Sequence, residues 1–132
     1  MLAPMLEDKV RRLARGPNFA TITTLLTDGG PATHVMWIDC DDEHLLINTE
    51  TGRAKFRNVQ RDPRVSVVIW DRDDAYSYVE VRGRVVETVA GPEARRHIDE
   101  LSEKYYGRPY ANQIETERVI LKVAPDRQRA YA

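Results

Sequence analysis

The chemistry-bearing part of the chain is the run Asn48-Thr49-Glu50-Thr51-Gly52-Arg53-Ala54-Lys55-Phe56-Arg57-Asn58. It reads as the end of a strand and the start of a short helix, with charges set against ordinary helix electrostatics. A helix N-terminus is partially positive and favours acidic side chains, yet this one opens with Arg53 and Lys55 and has Arg57 one turn on. Each such cation costs a few tenths of a kcal/mol at a surface site. An anion at that end would collect the free backbone N–H groups and the cations together, and a phosphate fits best. Phe56 and Val59 form the buried side of the helix, and Lys55 borders it, within reach of a groove edge. Asn48 and Thr49 are placed to hydrogen-bond a ligand, although both are also ordinary turn residues. The competing reading is a solvated basic face in which Arg53, Lys55, Arg57 and Arg61 pair with nearby acids.

Other candidates carry less. The three histidines, His34, His44 and His97, have no metal-ligand spacing. His34 falls on an expected strand and is the best proton donor the sequence offers. Tyr76 and Tyr78, with Trp70 and Trp37, could stack on a flat ring or fill a core. Tyr105, Tyr106 and Tyr110 surround the end of the last helix and could cover a cleft or a dimer seam. Cys40 lies among Asp39, Asp41 and Asp42, whose charges raise a thiol's pKa, so it reads as inert.

The elements that must position these residues are short. Leu6, Val10 and Leu13 share one face of a helix from about Met5 to Arg15, stopped by Gly16-Pro17. Strands are expected at Phe19–Leu26, Ala32–Asp39 and Glu43–Asn48, joined by turns at 27–30 and 40–42 and forming a meander. A helix over about Gly52–Arg61, capped by Thr51, ends at Asp62-Pro63. Arg64–Trp70 is an apolar strand, 71–74 a polar loop, and Tyr76–Val89 a long strand alternating Val79, Val81 and Val85 with charges. Gly83 within it signals a bulge or a close backbone approach. Gly91-Pro92 opens a third helix, on which Ala94, Ile98, Leu101 and Tyr105 recur on one face, and Gly107 ends it. Glu117–Ala124 is the last strand. Six strands joined mainly by short turns favour an antiparallel sheet that closes on itself, with helices outside.

The 132 residues suit one domain, and 42% hydrophobic content suffices for a core. Lys and Arg total 20 against 21 Asp and Glu, which argues against nucleic acid or an anionic membrane as partner. No apolar run approaches the roughly 20 residues of a spanning helix. The segment from Met1 to Asp8 turns acidic too soon for a secretory signal. One cysteine fits a reducing cytoplasm. Walker, Gly-x-Gly-x-x-Gly, Gly-x-Ser-x-Gly and Cys-x-x-Cys patterns are all missing, which removes several enzyme classes.

Five segments together resemble a known family. They are Pro31 with Trp37-Ile38-Asp39, then Asn48-Thr49, then Gly52-Arg53-Ala54-Lys55-x-Arg57-Asn58. Asp62-Pro63-Arg64-Val65 and Glu80-Val81-Arg82-Gly83-Arg84-Val85 complete the set. They are similar to the pyridoxamine-phosphate-oxidase-like split β-barrel proteins, and among those to the actinobacterial branch that uses the deazaflavin coenzyme F420. The resemblance implies a six-stranded antiparallel split barrel (mainly β, α+β) with flanking helices, and a homodimer with a cofactor cleft between its subunits. It implies a phosphate held at Arg53, Lys55 and Asn58. The cofactor ring would lie against His34, Val35, Met36 and Trp37, near Asn48 and Thr49, with Tyr78 as a flanking aromatic. Many relatives carry Thr-Pro-Val-Trp where this chain has His34-Val35-Met36-Trp37, so the ring-facing end and the substrate should differ. The implied activity is hydride transfer from reduced deazaflavin to a small enone, quinone or tetrapyrrole, with protonation from water or His34. FMN on the same fold is the alternative, as is a non-catalytic flavin, deazaflavin or haem binder with His34 or His97 as axial ligand.

Overall fold

The computed structural model describes residues 4–132; residues 1–3, where the acidic N-terminal segment begins, lie outside the described residues. In chain order the elements are α1 (Asp8–Arg15), β1 (Phe19–Leu25), β2 (Pro31–Met36), β3 (Asp39–Cys40) and β4 (Leu45–Glu50). They continue with α2 (Ala54–Arg61), β5 (Arg64–Asp71), β6 (Asp74–Ala90), α3 (Pro92–Tyr106) and β7 (Arg118–Tyr131). All strand pairs are antiparallel, in the order β2-β1-β5-β6-β7-β4-β3.

This order dictates the shape. β2 and β3 are the two edges of the sheet, yet only Trp37 and Ile38 separate them along the chain. Three Cα steps reach about 11 Å at most. The edges must therefore lie side by side, and the sheet is rolled into a barrel left open along one seam. Side chains of α3 bridge that seam. Tyr105 Oη accepts from the Ile38 amide at 3.1 Å and donates to the Asn18 carbonyl, and Lys104 Nζ donates to the Ala14 and Ile38 carbonyls.

The barrel interior follows from alternation. Ala20 and Ile22 of β1, Val67 and Ile69 of β5, and Val79 and Val81 of β6 point inward and are fully buried. Leu45 and Ile47 of β4 and Leu121 and Val123 of β7 complete the ring. α1, too short to be stable alone and beginning at Asp8 rather than Met5, adds Val10 and Leu13 to the same core, and Leu6 joins them from the segment before it. Each such side chain contributes about 1.5–3 kcal/mol by leaving water. Outside the barrel, α3 lays Ala94, Ile98 and Leu101 against β4, β6 and β7, where Ile120 is buried.

Several expectations are corrected. The sheet has seven strands, because the expected strand Ala32–Asp39 breaks after Met36, and Asp39 with Cys40, read as the start of the turn, pairs with Leu45–Leu46 as β3. The first three expected strands do not form a meander: β2 pairs with β1, whereas β4 pairs with β7. The stretch at 71–74 is a tight hairpin rather than a loop, and β7 runs on to Tyr131. Thr51 does not cap α2; Arg53 occupies the N-cap without a side-chain bond, and the Thr51 amide donates to the Glu117 carbonyl. Gly83 does mark a close approach. A Cβ there would lie 2.1 Å from the Ala124 carbonyl oxygen, beside a register shift between Arg82 and Gly83.

Candidate functional site

At the seam lies a cleft of about 320 Å³. One wall is apolar and aromatic, formed by Phe19 at the start of β1, Val35 and Met36 at the end of β2, and Trp37 beyond it. α3 supplies Ile98 and Leu101 as the floor, and the segment before β7 supplies Tyr110 and Asn112. Trp37 is fixed from behind by Tyr105, whose ring stacks on it at 5.1 Å with an 8° interplanar angle. Tyr106 and Tyr110 meet Trp37 edge-on. The seam thus presents a rigid aromatic surface suited to a flat ring.

The other end is cationic. Arg53 enters from the α2 N-cap, Lys55 from its first turn and Arg118 from the first residue of β7. Lys55 is only 8% exposed, and among the described residues its ammonium has no hydrogen-bond acceptor. Burial, with Arg53 and Arg118 nearby, lowers its pKa. Arg118 is 5% exposed, and burial disfavours its charge too. Its guanidinium lies 5.3 Å over the Tyr110 ring. The local counter-charge is Glu50, whose Oε2 is 3.3 Å from Arg118 Nη1 and 3.4 Å from Arg53 Nη2. Glu50 Oε1 accepts from the amides of Glu115 and Thr116 and from the Thr116 hydroxyl. Those bonds, the Thr116 amide foremost, hold its carboxyl below the usual range. Three cations against one carboxylate leave the end of the cleft positive, which is what an anionic group requires.

Among the residues singled out from sequence, Val35, Met36, Trp37, Asn48, Arg53 and Lys55 line this cleft. His34 is exposed on β2 and does not line it. Thr49 points the other way from Asn48, into the barrel, where its hydroxyl is buried with no partner. Asn58 is buried at α2, donating to Thr24 Oγ1 at 3.0 Å and accepting from Arg61 at 3.0 Å, and so ties α2 to β1. Tyr78 stacks on Tyr131 at 4.6 Å, away from the cleft. Arg57 and Arg61 fold back onto the carbonyls of Gly52 and Leu25, so for these two the basic run is structural. His97, buried on α3, has one ring nitrogen 3.2 Å from Asp39 and the other 3.1 Å from Asn48, leaving neither free for an axial metal. Burial pushes the Asp39 carboxyl up, but the bonds from His97 and the Cys40 amide hold it below its usual range.

Arg118, Tyr110 and Glu50 complete the site. Arg118 gave no signal in sequence, being one charge among many on an expected strand; Tyr110 was noted only as a possible cover. Glu50 sat within the singled-out run but was given no role there. Among the described residues no cluster of His, Cys, Asp and Glu could hold a metal ion, and no helix is long and apolar enough to cross a membrane.

A rolled antiparallel sheet, open along one seam and carrying a cationic, aromatic-walled cleft there, is the split-barrel architecture. The chain belongs to the pyridoxamine 5'-phosphate oxidase family, which it matches over residues 6–132. Among solved structures it is similar to one described as an F420 reductase, at 30% identity and a TM-score of 0.78, covering 90% of this chain and 94% of that one. A conserved hypothetical protein from Mycobacterium tuberculosis superposes at 0.76 with 27% identity, covering 98% of this chain and 86% of that one. General Stress Protein 26 from Bacillus anthracis shares the fold at 0.71 with 19% identity, covering 94% and 92%.

Proposed function

We propose that this chain is an F420-dependent oxidoreductase that works as a homodimer in the cytoplasm on a small conjugated substrate. The observation that carries the reading is Lys55: a side chain buried for most of its length whose ammonium has no protein acceptor among the described residues and opens onto an aromatic-walled cleft between Arg53 and Arg118. Such a cation is tolerated when an anionic ligand completes it. The likeness to an F420 reductase supports the deazaflavin as the ligand bearing that anion.

Lys55, Arg53 and Arg118 would hold the phosphate, while Val35, Met36 and Trp37 would support the ring. When bound, the reduced deazaflavin supplies hydride; the protein binds, orients and shields. Trp37, locked by Tyr105, would shield one wall of the cleft from water. The proton that must follow would come from solvent, or from His34 only across a second copy, since on β2 it is exposed and does not line this copy's cleft. A cleft of about 320 Å³ is at the small end for a cofactor site, and Val35 at its edge is 67% exposed. A second copy would supply the missing wall and cover Val35.

Titration with coenzyme F420 and with FMN, followed by fluorescence or calorimetry, tests the cofactor. Micromolar binding of F420 and clearly weaker binding of FMN is the expected result; the reverse order overturns the deazaflavin in favour of FMN. Lys55→Ala should lower affinity about tenfold to a hundredfold, the worth of one charge-assisted contact. Unchanged affinity would overturn Lys55 as a ligand contact. Light scattering should give a dimer mass, and a cofactor-binding particle of 15.2 kDa would rule out the shared cleft.

A further inference from the structure

The hydrogen bonds of Asn48 link the cationic end of the cleft to a second hollow on the same outer face of β4, beside α3. Asn48 Nδ2 donates to the Ala94 carbonyl at 3.0 Å and lies 3.1 Å from His97 Nδ1. Its Oδ1 accepts from Arg118 Nε at 2.8 Å. Beyond it, His97 Nε2 lies 3.2 Å from Asp39 Oδ2. A guanidinium can only donate and a peptide carbonyl can only accept, so the two together fix which way the Asn48 amide points. Its nitrogen must face His97, and His97 Nδ1 must therefore accept. That leaves the imidazole neutral, with its proton on Nε2 and shared with Asp39.

We propose that His97 is a positioning residue for anion binding: in its Nε2–H form it orients the Asn48 amide, which holds the Arg118 guanidinium toward a ligand beside Lys55. The inference rests on the cleft binding an anionic cofactor, as proposed above. Protonation of His97 would place a hydrogen on Nδ1 against the Asn48 amide nitrogen, two donors in contact. Flipping the amide gives no relief, because its nitrogen would then face Arg118 Nε and its oxygen the Ala94 carbonyl. Protonation of His97 and seating of Arg118 therefore oppose each other, and acidification weakens binding. The charged groups facing the His97 hollow are Asp39 and Asp41, Glu93, Arg96 and Glu100 of α3, and Lys122 of β7. None of these reaches the cleft, so their own titration does not act on Arg118 directly.

Calorimetric titration of F420, with FMN as second probe, should run from about pH 8 to about pH 5, where an imidazole changes charge. The proteins are wild type, His97→Asn and His97→Ala. Asparagine keeps an acceptor near the Nδ1 position but cannot be protonated. Wild type should lose about tenfold more affinity than His97→Asn across that range, as a misplaced guanidinium would cause. His97→Ala should be weaker about tenfold at both ends, and His97→Asn should restore affinity at the alkaline end. A ligand's own titration is common to all three proteins and cancels. The ¹⁵N shifts of His97 in wild-type protein without ligand should show the proton on Nε2. A proton on Nδ1, or superimposable pH profiles for wild type and His97→Asn, overturns the positioning role alone. Failure of both probes to bind wild type at any pH overturns the cofactor reading and this inference with it.

Discussion

Lys55 is a case where a residue works against the fold that carries it. Its pKa is lowered by burial first and by Arg53 and Arg118 next, so at neutral pH its charge opposes folding. That penalty persists until pH rises through the folded value, where the folded protein releases the proton more readily than the unfolded chain. Lys55→Met should raise the urea-unfolding free energy of the apo-protein by about 1 kcal/mol while cofactor affinity falls. At position 53 the helix dipole alone favours Arg53→Glu in the apo-protein. The buried Glu50 carboxylate reverses that sign, because the new acid would stand where Arg53 Nη2 now lies 3.4 Å from it. Glu50 itself has a lowered pKa, so its stabilisation is in place above the ordinary carboxylate value and is lost as pH falls through the folded one. Glu50→Gln should cost about 2–3 kcal/mol at neutral pH, leaving Arg118 without its partner, and should flatten the acid limb of the stability profile. Urea midpoints measured across pH check both effects.

At the scale of elements, β6 is the spine: it pairs with β5 over its first half and with β7 nearly throughout. Where the two long strands cross closest, only Gly83 fits against Ala124. The obstacle is backbone and cannot swing aside, so Gly83→Ala should cost about 3 kcal/mol or more in urea unfolding, with the barrel loosened at that bend. Much of this architecture was legible, because helix periodicity, strand alternation and Gly or Pro punctuation are local signals. The three helices, the bend at Gly83 and the cations of α2 were all readable in this way. Strand order was not. The turns after Leu26 and Cys40 suggested a meander, but turns report only the hairpin they close, and β4 instead pairs with β7 some 70 residues on. Arg118 and Tyr110 stayed hidden for the same reason: they reach the cleft through that distant pairing. The opposite facings of Asn48 and Thr49 follow from the pleat, yet which side met the cleft depended on where α3 docked.

For the whole molecule, the seam between β2 and β3 matters most. Elsewhere the barrel wall is held by ladders of backbone hydrogen bonds; here Tyr105 and Lys104 hold the Ile38 peptide. Burial pushes the Tyr105 phenol up to about 12, so it stays a neutral donor and acceptor at any working pH. Tyr105→Phe leaves the Ile38 amide and the Asn18 carbonyl without it, and should cost about 1–3 kcal/mol while the fold persists. The Ile38 amide should then exchange with deuterium faster than its neighbours in β3 and β4, which a site-resolved exchange experiment reads directly. The seam thus has no backbone ladder of its own, and Trp37 lies in the two-residue link that joins its edges. A flat guest that stacked on Trp37 would therefore rest on the same link that fixes the spacing of the two edges. Once seated, it would hold that link still and slow exchange of the Ile38 amide. The exchange lifetime of one peptide would then report on occupancy of the cleft without any label on the guest.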